Sequence, residues 1–154
     1  MPPLLEAVAL LPRAYRDTAR AMSRENVELA YKANDAFNRR DLDAFLALAD
    51  PDIEWFPVIV ELEGGRPYRG HDGVRRWWEE WLAIAPDFGG EVKEVRNLGD
   101  VTVARVRLRG HGVASGASME QTIWQFAEWR QRKCVRFRAF ASEAEALEAA
   151  GLSE

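Results

Sequence analysis

Residues 91–140 read EVKEVRNLGDVTVARVRLRGHGVASGASMEQTIWQFAEWRQRKCVRFRAF. Apolar and polar side chains alternate along most of this stretch, the period of strands with one buried face. Glu91–Leu98 predicts one strand and Gly99-Asp100 a tight turn. Val101–Arg109 predicts a second strand, with Thr102, Ala104, Val106 and Leu108 on one side and Arg105, Arg107 and Arg109 on the other. After a glycine-rich turn region at Gly110–Gly116, Ser118–Trp129 and Lys133–Ala141 predict two more. Long strands joined by turns call for an antiparallel sheet.

Upstream the period changes to that of helices. Ser23 is an N-cap candidate for a helix over about 24–39, with Val27, Ala30, Tyr31, Asn34 and Phe37 on one stripe. Asn34 is an amide within that apolar stripe, so it requires a hydrogen-bond partner, a neighbour or a ligand. Asp41 is expected to cap a shorter helix to about Ala49, stopped by Asp50-Pro51-Asp52. Ile53–Val60 predicts a strand interrupted by Pro57, and Gly64-Gly65-Arg66-Pro67 a turn. From about Asp72 a third helix carries Val74, Trp77, Trp78, Trp81, Leu82 and Ala85 at helical spacing and ends at Pro86. Downstream of the strands, Ser142-x-x-Glu145 is a capping box for a short helix stopped by Gly151. Helices segregated from a run of strands predict an α+β domain, a strongly curved antiparallel sheet with three helices on its concave face. Such a cone encloses a natural ligand site. Residues 1–22 read as a helical extension and 23–154 as the domain.

At 154 residues with 47% hydrophobic content, the chain has enough apolar material to bury a core without disulfides or metals. A net charge of −4 argues against a general nucleic-acid binder. The single cysteine, Cys134, excludes an internal disulfide and reads as a packed thiol. A cytoplasmic location is consistent with it. No apolar run reaches the ~20 residues that span a bilayer, so no membrane partner is expected. His71 and His111 lack ligand spacing to other donors, so no metal is expected. No phosphate-binding loop precedes a helix, so no cofactor is expected either.

Three stretches carry a family resemblance: ENVELAYKANDAFNRRDLDAFLALADPDIEWFP at 25–57, YRGHDGVRRWWEEWL at 68–82 and VRFRAFASEAEALEAAGL at 135–152. Together they resemble the SnoaL-like branch of the nuclear-transport-factor-two-like superfamily. The resemblance implies the three-helix cone, commonly a homodimer, and a pocket for a small hydrophobic molecule. Relatives include ketosteroid isomerases, polyketide cyclases, epoxide hydrolases, dehydratases and proteins with no known catalysis. The isomerase base position falls on Pro57 or Phe56, and its oxyanion-hole positions fall near Ala33 and Thr122, so its three residues are absent and steroid isomerase chemistry is not expected. Asn34 stands where many relatives carry a tyrosine, and the Asp-Arg-Asp set of the epoxide hydrolases is missing.

The same register predicts Trp77, Trp81, Ala104, Val106 and Leu108 facing into the cone. It also predicts Glu120, Thr122, Trp124 and Phe126, and then Arg136, Arg138 and Phe140, facing inward. Glu120, Arg136, Arg138 and Asn34 are therefore the candidate catalytic cluster, with Glu120 as general base; the alternative is a plain cross-strand ion pair. Tyr31, Trp55, Trp77, Trp81, Val106, Thr122, Trp124 and Phe140 are the candidate ligand contacts, or else core. Arg105, Arg107 and Arg109, with Gln121 and Gln125, are expected on the outer face as a polar dimer surface. Three functions stay open: a cofactor-independent acid–base enzyme on a carbonyl- or hydroxyl-bearing molecule, a non-catalytic ligand-binding protein, and an interaction module whose cone is filled by its own tryptophans.

Overall fold

The computed structural model describes residues 13–57 and 64–151. Helix α1 spans Arg13–Asn38, so Ser23 lies inside a helix and not at its start. The preceding RAYRDTARAM is rich in alanine and arginine, and an interior serine costs only about 0.5 kcal/mol relative to alanine. Residues 1–12 of the expected extension, and Val58–Val60 of the expected first strand, lie outside the described residues. Arg40 turns the chain with φ 59°. Asp41 then caps α2, Leu42–Ala47, its carboxylate accepting from the Ala44 amide at 3.0 Å.

Strand β1 covers Ala49–Phe56, so Asp50-Pro51-Asp52 lies within a strand. Its pairing with the last strand is irregular between Ala49 and Glu54, which is where a proline without an N–H is tolerated. Strand β2 is Tyr68–Arg69, and α3 follows as Gly70–Ile84. Gly70 has φ 67°, and a Cβ there would meet the Pro51 carbonyl oxygen at 3.0 Å; glycine allows this sharp strand-to-helix turn. Then come β3 (Gly89–Leu98), β4 (Val101–His111), β5 (Ser118–Arg130) and β6 (Lys133–Phe140). Helix α4, Glu143–Ala149, opens on Ser142, whose hydroxyl accepts from the Glu145 amide.

The six strands lie in the order β2-β1-β6-β5-β4-β3, a curved, unclosed sheet. Four of its five pairings are antiparallel. The pairing of β1 with β6 is parallel, a departure from the all-antiparallel expectation that the long intervening chain makes possible. Helices α1, α2 and α3 cover the concave face; α4 packs on the other side against β4, β5 and β6.

Register decides which side chains share a face. Arg105 stands opposite Trp124, Arg107 opposite Thr122 and Arg109 opposite Glu120. Directly opposed residues project to the same side, so Glu120, Thr122, Trp124 and Phe126 lie on the convex face with the arginines. Arg138 opposes Phe126, and Phe140 opposes Trp124, which places Arg136, Arg138 and Phe140 there too. The expectation that these residues face into the cone is thus corrected. Val103, Phe126, Phe140 and Ala146 form a second core on this face, with Trp124 packed against it. An apolar set under α4 made the wrong side of β5 look like the inside.

Candidate functional site

A cavity of about 640 Å³ lies between the three helices and the concave face of the sheet. Its walls are mostly apolar and include nine aromatic side chains. Trp55 stacks on Phe137 with centroids 3.8 Å apart and planes at 12°, and Trp77 lies 4.8 Å from Trp55. Phe88 meets Trp81 edge-on at 5.2 Å and Phe37 at 5.7 Å. Each such pair contributes about 0.5–1.5 kcal/mol beyond area burial, so the walls hold their shape without a ligand. Arg40 fixes one end by donating to the carbonyls of Phe37 at 2.9 Å and Pro86 at 2.8 Å, which ties α1 to the loop after α3.

Few polar groups reach this space. The Asn34 amide nitrogen donates to the Gly90 carbonyl at 3.1 Å, and Asn38 donates to the same oxygen at 2.8 Å. A Cβ on Gly90 would stand 2.9 Å from Val106 Cγ1 and 3.1 Å from Asn34 Oδ1, so glycine is what lets α1 approach β3 here. Asn34 therefore finds a neighbour through its nitrogen while its side chain lines the cavity. Thr102, on the sheet floor, accepts from the Trp129 indole at 2.9 Å. Gln121 and Gln125, four residues apart on β5, also line the cavity. Neither amide has a hydrogen-bond partner among the described residues. The Trp55 indole N–H is buried and likewise unpaired.

Tyr68 and Glu80 stand at the open side, next to Ile84, which is 54% exposed. The Tyr68 hydroxyl donates to Glu80 Oε2 at 2.9 Å. Burial, and then that hydrogen bond, raise the tyrosine's pKa above its ordinary value, so it keeps its proton at neutral pH. Glu80 is the only carboxylate among the cavity-lining residues described. Cys134 lines the inner wall, and burial pushes its thiol up to about 12.

Of the residues singled out from sequence, Asn34, Trp55, Trp77 and Trp81 line the cavity. Val106 is on the expected face but fully buried beneath Gly90, in a cluster with Ala104, Ile123 and Ala139. Tyr31 is 47% exposed on α1 and does not line the cavity. Thr122 is exposed on the convex face, and Trp124 and Phe140 belong to the second core. Glu120 pairs with Arg107. Arg136 bonds Glu54 at 2.9 Å, and Glu54 in turn meets Arg69 at 3.2 Å. Arg138 lies over the Phe140 ring at 4.8 Å. The residue of β5 opposite Arg136 is Glu128, which is eight positions and roughly 27 Å along the strand from Glu120. The expected catalytic cluster is therefore not assembled. Gln121 and Gln125, expected outside, are inside. Tyr68 and Glu80 went unrecognised, although Trp77, Glu80, Trp81 and Ile84 share one helical face by spacing alone.

A family model for the SnoaL-like domain matches residues 30–137. No curated protein sequence matches the chain. Many solved structures share the fold. An NTF2-like protein of unknown function from Burkholderia pseudomallei superposes with a TM-score of 0.69 at 23% identity, over 80% of this chain and 95% of that one. TerC, co-crystallised with polyporic acid, gives 0.68 at 19% identity, over 82% and 98%. IdmH of Streptomyces antibioticus, a candidate polyketide cyclase, gives 0.65 at 22% identity, over 82% and 98%. At these identities the likeness speaks for the fold.

Proposed function

Because the chain belongs to the SnoaL-like domain family, we propose that its cavity binds a flat, hydrophobic small molecule carrying carbonyl or hydroxyl groups. The observation that carries this is the pair of amides on the floor of an aromatic-lined cavity, Gln125 half-buried and Gln121 exposed, neither with a hydrogen-bond partner among the described residues. A side-chain amide both donates and accepts, so each can meet a carbonyl or a hydroxyl of a ligand. A ligand with oxygen functions takes the place of water at these amides while its rings meet Trp55, Trp77 and Trp81. The two glutamines are roughly 13 Å apart along the strand, which suits an elongated ligand oxygenated at both ends. A volume of about 640 Å³ is within the ordinary range for small-molecule sites. The co-crystal of TerC with polyporic acid is a case of this fold holding an organic acid.

The test is a titration with 2-acetylnaphthalene and with naphthalene, followed by tryptophan fluorescence and calorimetry. Saturable binding of both is expected, tighter for the ketone. Gln125→Leu should weaken the ketone about fivefold, the loss of one net hydrogen bond of about 1 kcal/mol, and leave naphthalene unchanged. No saturable response to either compound would overturn the proposal.

A further inference from the structure

We propose that Asn34 is a specificity-determining residue of the cavity, its Oδ1 a fixed acceptor that selects a ligand hydroxyl over a carbonyl or an ether at that place. This rests on the cavity being a ligand site. Asn34 is half-buried, and with Ala30, Ala33 and Phe37 it makes up what α1 contributes to the cavity wall. It is therefore the one polar side chain that α1 presents there among the described residues. Its Nδ2 donates to the Gly90 carbonyl at 3.1 Å. A carbonyl only accepts, so the amide cannot turn over without setting two oxygens against each other. Oδ1 has no hydrogen-bond partner among the described residues. It lies 3.1 Å from where a Gly90 Cβ would stand, a point also 2.9 Å from Val106 Cγ1 and 3.3 Å from Leu108 Cδ2. The oxygen thus sits on the concave surface with apolar neighbours.

The tie between α1 and β3 does not depend on Asn34. Asn38 donates to the same Gly90 carbonyl at 2.8 Å and accepts from the Gly90 amide at 3.0 Å. This reciprocal pair holds the helix on the strand, and Asn34 adds a second donor to an oxygen that already has one. What Asn34 alone supplies is an acceptor on the wall. An amide oxygen held in this way accepts from a hydroxyl and finds only lone pairs on a ketone or ether oxygen. Gln121 and Gln125 lack that bias, because an untethered amide can turn either end to the ligand. Register adds a direction. Gly90 stands opposite Leu108, and Leu108 opposite Gln121. Gly90, beneath Asn34, and Gln121 therefore end one row across three strands, roughly 10 Å apart at two strand spacings. A ligand lying over Leu108 gives its hydroxyl to Asn34 and a second oxygen to Gln121. The ligand class narrows to flat hydrophobic molecules with a hydroxyl at one edge.

The experiment titrates the full chain with 2-naphthol, 2-methoxynaphthalene and naphthalene, followed by calorimetry. 2-Naphthol should bind about fivefold more tightly than its methyl ether, the effect of one net hydrogen bond. Asn34→Leu should bring 2-naphthol down to the affinity of the ether and leave the ether and naphthalene within about twofold of wild type. Its melting temperature should stay near that of wild type, because Asn38 still holds Gly90. Asn34→Ala, which cannot crowd Gly90, is read in the same way if the leucine variant does not fold. If the compounds bind but the preference for 2-naphthol is absent in wild type, or survives the substitution, the role of Asn34 is overturned and the binding site stands. If none of the three binds, both fall.

Discussion

The two faces of the sheet are both apolar at their centres, yet they are finished in opposite ways. On the convex face Phe126, Phe140 and Val103 are closed over by Ala146 of α4. Beyond that patch the surface is ion-paired, with Arg107 on Glu120 and Arg136 on Glu54. On the concave face three helices arch over the sheet and leave space, with amides on the floor and a single lining carboxylate, Glu80, beside Arg76. A short helix can fill a face, whereas three helices spanning a curved sheet can hold one open. The filled face serves stability, and the proposed function gives the open one to recognition.

The comparison breaks most visibly through Phe126, which is 4% exposed beneath α4. Phe126→Ala should cost about 3–5 kcal/mol, the transfer term plus the cavity it leaves. Denaturant unfolding measures the loss. Ketone binding at low temperature should stay within twofold of wild type, because no atom of the concave wall changes. A matching loss of affinity would show that the two faces are not independent.

Cys134 sharpens the contrast from the concave side. It reaches the cavity wall through a bulge: Trp129 pairs with Cys134 and Glu128 with Arg136, so Val135 is the extra residue. The bulge puts Cys134 on the same side as Phe137 and Ala139. Burial raises its thiol from the ordinary 9.0 to about 12. The unfolded chain therefore loses this proton first, and stability falls as pH rises through the window from 9 toward 12. Below 9 the thiol is neutral in both states and has no effect on the pH dependence. Urea midpoints from pH 8 to 11 should fall more steeply in wild type than in Cys134→Ala. Equal slopes would mean that water reaches the thiol in the folded state.

How much of this was legible follows from the same two faces. The strands, the Asp41 and Ser142 caps and the three covering helices were readable because period and cap chemistry are local. The phase between strands was not. On β5 the even residues Trp124 and Phe126 are as apolar as the odd residues Ile123 and Ala127, because α4 buries one set and the cone the other. Local patterning does not tell which helix will cover which side. On β6 the simpler choice was available: Phe137 and Ala139 inward leaves Arg136 and Arg138 outside, and an unpaired charge facing an apolar cavity is costly. Glu80 was legible in principle from its place between Trp77 and Trp81. Its pairing with Tyr68 depends on the turn at Gly70, a long-range consequence of the Pro51 carbonyl packed against it.

Glu120 gives the smallest effect and the cleanest control. It and Arg107 are an ion pair with side chains 45% and 42% exposed, the kind that contributes about 0–1 kcal/mol. Glu120→Gln should shift unfolding by about 0.5 kcal/mol or less, and added salt should shrink even that. Binding of 2-acetylnaphthalene should be unaffected, while Gln125→Leu weakens it about fivefold. The two residues lie on opposite faces of one strand. Their difference therefore isolates the contribution of facing the cavity. A loss of affinity with Glu120→Gln as large as that with Gln125→Leu would mean that a carboxylate on the convex face controls binding on the concave one, and the division between a closed face and an open one would fail.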